Sequence, residues 1–110
     1  MDPQIKKGIL DVIVLSLLRK EDTYGYLLSV QVAQMVAIAE TALYPVLRRL
    51  EAQGLLETYS VEYGGRLRKY YRITAAGITR LNQSLDELLE LKELIDKIME
   101  GVEDHGGTNR

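Results

Sequence analysis

The side chains with the clearest chemical potential in this sequence are cations, and they are concentrated in two short segments. Arg48 and Arg49 are adjacent within a helical pattern, and Arg66, Arg68 and Lys69 directly follow a pair of glycines. Lysine and arginine neutralise phosphate charges, and arginine also donates two hydrogen bonds to the edge of a guanine. We therefore infer that both segments contact duplex DNA.

The sequence offers no arrangement of residues suited to catalysis. It has no cysteine, its one histidine is His105 in a glycine-rich tail, and neither a phosphate-binding loop nor the spacing of metal ligands occurs. The acidic residues of the last predicted helix, which include Asp86, Glu87, Glu90 and Glu93, are typical of a solvated face. We predict that the chain is not an enzyme and that it holds neither a metal nor a cofactor.

The charge balance points in two directions. The formal net charge is -2, whereas DNA-binding domains are usually basic. The charges are unevenly distributed, however, since residues 36–74 carry six basic and four acidic groups and residues 75–110 carry four and eight. A basic middle section beside an acidic C-terminal section is compatible with a DNA partner.

Hydrophobic periodicity predicts three helices, a β-hairpin and a long last helix. Gly54 favours a helix stop, the Gly64-Gly65 pair favours a tight turn, and Thr74 is a suitable N-cap. The predicted helices cover about residues 3–19, 24–35, 40–53 and 75–100, and the predicted strands about 55–63 and 67–74. This order indicates a mainly α protein with a small β-hairpin, namely a winged helix-turn-helix followed by a long C-terminal helix.

The same elements predict how the chain is divided. Residues 1–74 form the DNA-binding domain, residues 75–101 form a dimerisation helix, and residues 102–110 form a disordered tail. The longest apolar run is too short to cross a membrane, and the start of the chain does not resemble an export signal. Together with the absence of cysteine, these features lead us to expect a cytoplasmic protein with no membrane partner.

The third predicted helix carries the residues that would read DNA. Thr41, Tyr44 and Arg48 recur at the spacing that places them on one exposed face. For both Arg48 and Arg49, the alternative to a DNA contact is a solvated position on the helix with an ion pair to Glu51 or Glu40. The predicted DNA-binding residues of the helix and the hairpin are Thr41, Tyr44, Arg48, Arg49, Arg66, Arg68 and Lys69.

The apolar pattern of the last predicted helix indicates that the chain forms a dimer. Its apolar residues step alternately by four and three, which leaves a face that a domain of this size does not cover by itself. The first helix is also apolar on more than one side. The residues predicted to form the dimer interface are Ile9, Ile13, Leu81, Leu85, Leu88, Leu91, Ile95 and Met99.

Four segments resemble one family closely. They are residues 7–10 (KGIL), 24–26 (YGY), 42–51 (ALYPVLRRLE) and 65–74 (GRLRKYYRIT). From Lys7 to about Ile98 the chain resembles the PadR family of bacterial regulators. The resemblance implies a homodimer in which the C-terminal helix packs on the partner's N-terminal helix. It also implies a repressor that a small-molecule effector at the dimer interface releases from DNA.

Three positions depart from the pattern of that family. Ala39 stands where a serine is common, Thr41 where glycine or serine is common, and Leu67 where the hairpin often has proline. These changes bear on base preference rather than on DNA binding, because no cation is lost. Some compact members hold planar drugs between tryptophans, and this sequence has no tryptophan, so that mode of ligand binding is not carried over.

A winged helix that binds protein instead of DNA is the alternative. An antirepressor or an assembly factor of this kind is compatible with the acidic net charge. Salt distinguishes the two functions, because the affinity of a DNA-binding protein for a duplex falls steeply as salt rises.

Overall fold

The computed structural model describes residues 3–106 and arranges them as helices around a small sheet, with a long final helix. The elements are α1 (Pro3–Lys20), β1 (Thr23–Tyr24), α2 (Gly25–Met35), α3 (Glu40–Ala52), β2 (Leu56–Tyr63), β3 (Arg66–Ile73) and α4 (Ala75–Gly106). The predicted class, mainly α with a small β-hairpin, is confirmed.

The sheet has three antiparallel strands in the order β1-β3-β2. Gly64 and Gly65 form the turn between β2 and β3 with φ angles of 58° and 80°, a region that glycine enters without steric cost. The short strand β1 was not predicted, because two residues are too few to show a periodicity. It adds Thr23 opposite Tyr71 and so fastens the hairpin to the start of α2.

Two of the predicted helix boundaries rest on specific hydrogen bonds. At the end of α3, the N–H groups of Gly54 and Leu55 donate to the carbonyls of Glu51 and Leu50 at 2.9 Å each, and Gly54 has a φ of 75°. This is the glycine-dependent helix ending that the sequence predicted. At the start of α4, the N–H of Gly77 donates to the hydroxyl of Thr74 at 3.0 Å, which confirms Thr74 as the N-cap.

The hydrophobic core lies between the first three helices, the inner face of the sheet and the beginning of α4. It includes two residues that the sequence assigned to the dimer interface, since Ile13 is 7% exposed and Leu81 is 2% exposed. That assignment was wrong for both, because the winged-helix part of the same subunit, residues 3–74, which we call the head, already covers them. The fully buried large side chains are Leu15, Leu18, Leu28, Leu43, Leu47, Leu50, Leu81, Val14 and Val32.

The final helix is longer than predicted. It continues to Gly106, so residues 102–106 are helical where the sequence predicted the start of a disordered tail, and residues 107–110 lie outside the described residues. A single glycine at position 101 costs only about 1 kcal/mol and does not end a helix. Within residues 3–106 no single helix is long and apolar enough to span a membrane, and α2 and α3 pass such a test only as a pair bent by 111°.

Candidate nucleic-acid interface

Helix α3 divides cleanly into a core face and an exposed face. Its core face consists of Leu43, Val46, Leu47 and Leu50, all buried. On the other side Thr41, Pro45 and Arg48 are exposed along one line. Arg48 is exposed and has no ion pair with any side chain that the structure describes. Pro45, within α3, cannot donate the helical hydrogen bond to the carbonyl of Thr41.

Tyr44 lies at the edge of that exposed face and is partly buried. Its hydroxyl donates to Oε1 of Glu40 at 3.3 Å, and burial, followed by this hydrogen bond, raises the pKa of the phenol. The ring packs on Gly25 at the start of α2, where an added Cβ would lie only 3.1 Å from Cε1 of Tyr44. Gly25 therefore positions a predicted site residue, and the sequence alone showed only that a Tyr-Gly-Tyr motif was present.

Arg49 turns away from the exposed face and towards α1. Its two terminal nitrogens donate to the two carboxylate oxygens of Asp11 at 2.6 and 3.0 Å. This bidentate hydrogen-bonded pair raises the pKa of Arg49 and holds the guanidinium against the body of the protein. Arg49 is therefore held by Asp11 rather than extended from the exposed face of α3. An ion pair was the alternative that the sequence offered, but the partner is Asp11 on α1 rather than Glu40 or Glu51.

The three predicted cations of the hairpin have different surroundings. Arg66 is exposed next to the turn and has no acidic or aromatic partner among residues 3–106. Arg68 is partly buried on the outer face of the sheet, where its guanidinium carbon lies 4.0 Å from the ring centroids of both Tyr24 and Tyr63. Lys69 projects from the inner face, 5.3 Å from the ring centroid of Tyr71 and 3.9 Å from a carboxylate oxygen of Glu51.

The hairpin is attached to the last turn of α3. Glu51 accepts a hydrogen bond from the hydroxyl of Thr58 at 3.2 Å and also attracts Lys69. These contacts hold the middle of the hairpin against the last turn of α3. Arg48 on α3 and Arg66 beside the turn are the exposed cations of this candidate surface, whereas Arg49 pairs with Asp11 and Lys69 lies 3.9 Å from Glu51.

A groove of about 370 Å³ lies between α1 and α4, away from this surface. Its lining is mostly apolar and includes two predicted interface residues of α4, Leu88 and Leu91, together with Ile9 of α1. Further along α4, the predicted interface residues Leu85, Ile95 and Met99 are 40–51% exposed. Within the described residues no group of three or more His, Cys, Asp or Glu side chains could hold a metal ion.

Three helices followed by a β-hairpin, with the exposed Arg48 on the third helix, define a winged helix-turn-helix, the fold in which DNA-binding proteins place the third helix in the major groove. Residues 14–83 match the transcriptional regulator PadR-like family, and the chain belongs to that family. Its members are transcriptional regulators and not enzymes, which confirms the prediction made on that point.

Relatives of similar length support the assignment. An uncharacterised protein from Lysinibacillus sphaericus is 42% identical over 105 residues, which cover 90% of this chain and 95% of that protein. A transcriptional regulator from Clostridium thermocellum superposes with a TM-score of 0.79 at 36% identity, over 88% of this chain and 96% of that one. A PadR family regulator from Eggerthella lenta gives 0.78 at 38% identity, over 88% and 87%.

Proposed function

We propose that the chain represses transcription as a homodimer that binds a duplex operator, with α3 in the major groove and the hairpin beside it. The observation that carries this proposal is that some of the predicted DNA-binding cations are paired with acidic groups and others are not. Arg49 and Lys69 are engaged by acidic groups of the protein, whereas Arg48 on α3 and Arg66 at the hairpin tip are exposed and have no acidic partner within residues 3–106. An exposed cation without an acidic partner can pair with a phosphate or donate to a guanine without first breaking an ion pair.

The apolar face of α4 supports the dimer. Leu85, Leu91, Ile95 and Met99 are exposed, and Leu88 and Ile9 line the groove between α1 and α4. Covering such a face with the same face of a second copy removes it from water. Two copies related by a twofold axis would present two α3 helices to successive major grooves of a roughly palindromic site.

Gly8 gives separate support to the same contact. It lies within α1 and lines the groove, and nothing is within 4 Å of the position where its Cβ would be. Glycine inside a helix is less stable than alanine by about 0.5–1 kcal/mol. Since no neighbour among the described residues requires a glycine there, we attribute it to the close approach of the partner's α4.

We place the binding site of a small-molecule effector in the groove between α1 and α4, beside the proposed dimer contact. A groove of about 370 Å³ with an apolar lining suits a small apolar molecule, and it adjoins the proposed dimer contact. Such a molecule would release DNA only if it bound one arrangement of the two heads more tightly than the other. A regulator of this kind works where its operator is, in the cytoplasm.

Fluorescence anisotropy at several salt concentrations tests the proposal. The probe is a labelled duplex from the region upstream of the protein's own gene, and a scrambled duplex of equal length is the competitor. We expect preference for the upstream duplex and an affinity that falls steeply with salt, with a slope set by the number of phosphates neutralised. Weak binding with a shallow salt dependence to both duplexes would instead favour the protein-binding alternative.

A further inference from the structure

A row of aromatic rings crosses the outer face of the sheet, which faces away from the core. Tyr24, Tyr70 and Tyr59 stand opposite one another on β1, β3 and β2. The ring centroids are 5.7 Å apart for the first pair and 5.6 Å apart for the second, and the second pair is stacked. The hydroxyl of Tyr59 donates to Asp22 at 2.7 Å, which ties the row to the segment between α1 and β1.

Arg68 connects this row to the tip of the hairpin. It is two residues closer to the turn than Tyr70, on the same face of β3. Its guanidinium carbon is 4.0 Å from the ring centroid of Tyr24 and 4.0 Å from that of Tyr63, the last residue of β2 before the turn. One planar cation therefore bridges two rings, one at the start of the helix-turn-helix and one at the hairpin tip.

This bridge lies where the sheet provides least support. β1 pairs only with Tyr71 and Tyr70, so the hairpin from about Arg68 outward has no third strand beside it. A two-stranded ribbon twists more strongly than a larger sheet, and its tip can point in several directions. A contact between Arg68 and Tyr24 fixes that direction relative to α2, whose first residue, Gly25, follows Tyr24.

We propose that Arg68 is a positioning residue that fixes the direction of the hairpin relative to α2, and that Arg66 is the cation at the hairpin tip that contacts DNA. The inference rests on the proposed DNA binding. Attraction between a guanidinium and an aromatic face needs the ring but not the hydroxyl of tyrosine. Replacing Tyr24 with a residue that has no ring therefore leaves the direction of the hairpin unfixed, although the substitution removes no cation.

The test compares four variants by anisotropy with the upstream duplex. We expect Arg68→Gln and Tyr24→Leu each to weaken binding by about fivefold to tenfold, the double variant to be no weaker than either single one, and Tyr24→Phe to bind like the wild type. Tyr63→Leu is a second check that does not threaten the fold, because Tyr63 is 64% exposed, and we expect a loss similar to that of Tyr24→Leu.

Two results would overturn the proposal. If Arg68→Gln lowers the salt slope by about one while both leucine variants bind normally, Arg68 contacts a phosphate directly. The second measurement is hydrogen exchange of the backbone amides at Tyr63 and Arg66 without DNA, which we expect to be faster in Arg68→Gln and Tyr24→Leu. Unchanged exchange rates in both variants would mean that the contact between Arg68 and Tyr24 does not hold the hairpin. If the wild type binds no duplex, the proposed function fails, and the exchange rates still decide whether Arg68 positions the hairpin.

Discussion

Asp11 and Arg49 join the first helix to the third through two parallel hydrogen bonds of 2.6 and 3.0 Å. Both side chains are about one-third exposed. Since Asp11 adjoins Val12, which lines the groove between α1 and α4, this pair connects that groove to the helix that carries Arg48. The position of α3 therefore depends on the position of α1.

Replacing Asp11 tests that dependence. We expect Asp11→Asn to lower the free energy of unfolding by about 1 kcal/mol, because a bidentate pair that remains partly solvated contributes near the upper end of the range for surface pairs. Chemical denaturation measures the change. Asp86→Asn is the matched control, since Asp86 is exposed on α4 and has no ion pair with any side chain that the structure describes. A loss of equal size there would contradict the assignment.

Gly77 marks the tightest contact between α4 and the base of the hairpin. A Cβ at this position would collide with the carbonyl oxygen of Leu55 and lie 2.6 Å from Cγ1 of Ile73. Overpacking against backbone cannot be relieved by a rotamer change, so Gly77→Ala should destabilise the protein by about 2 kcal/mol. Gly101→Ala, on an open stretch of the same helix, should raise stability by about 0.5 kcal/mol in the same thermal melts. Equal effects of the two substitutions would exclude the steric explanation.

Arg48 is the α3 side chain that we expect to read bases. Arg48→Ala should weaken binding to the upstream duplex by about 1–3 kcal/mol, or roughly tenfold to hundredfold, and should reduce the preference over a scrambled duplex. Arg19→Ala also removes an exposed positive charge, from the end of α1, and serves as the control. Unchanged affinity for the upstream duplex would remove Arg48 from the interface.

The dimer contact can be broken by charge. Replacing Leu88 and Ile95 together with lysine should give monomers in sedimentation, because two cations would have to enter an apolar contact without partners. The double variant Asn82→Lys, Gln83→Lys adds the same charge at exposed polar positions of α4 and should stay dimeric. A dimer that survives the first pair of substitutions places the interface elsewhere.

The hydrogen bond between Tyr59 and Asp22 predicts a pH dependence. This bond, reinforced by burial, raises the pKa of the Tyr59 phenol above its ordinary value near 10. Because the folded protein then holds this proton more tightly than the unfolded chain, the resulting stability is present below about pH 10 and is lost as the pH rises through the raised pKa. Absorbance titration of tyrosinate, with Tyr59→Phe to identify the signal, should show a lower pKa for Tyr59 in Asp22→Asn. A titration curve unchanged by Asp22→Asn would disprove the link.

The fold was largely predictable because local signals agreed with one another. The ending of α3 at Gly54, the turn at Gly64-Gly65 and the cap at Thr74 each depend on neighbours a few residues away, and all three are present. Strand β1 escaped prediction because its pairing partner, β3, is more than forty residues later in the chain.

The candidate site was predictable only in part, since periodicity does not determine how two helices are rotated against each other. It could not show that Arg49 faces Asp11, or that Ile13 and Leu81 face the core of their own subunit. The sequence pattern also assigned Arg66, Arg68 and Lys69 of the hairpin to the same role, contact with DNA. The rings that surround Arg68 come from β1 and β2, and they could be assigned to it only after the strand register was known.

Helix α4 continues far beyond its contact with the hairpin, so a small rotation at that contact gives a large displacement at the far end of the helix. From Gly77 to Gly106 it extends about 44 Å at 1.5 Å per residue. A rotation of one degree about Gly77 therefore displaces the far end by about 0.8 Å, and ten degrees by about 8 Å. Small adjustments where α4 leaves the head are thus magnified at the opposite end of the molecule, and the spacing between two heads joined through this helix is sensitive to them.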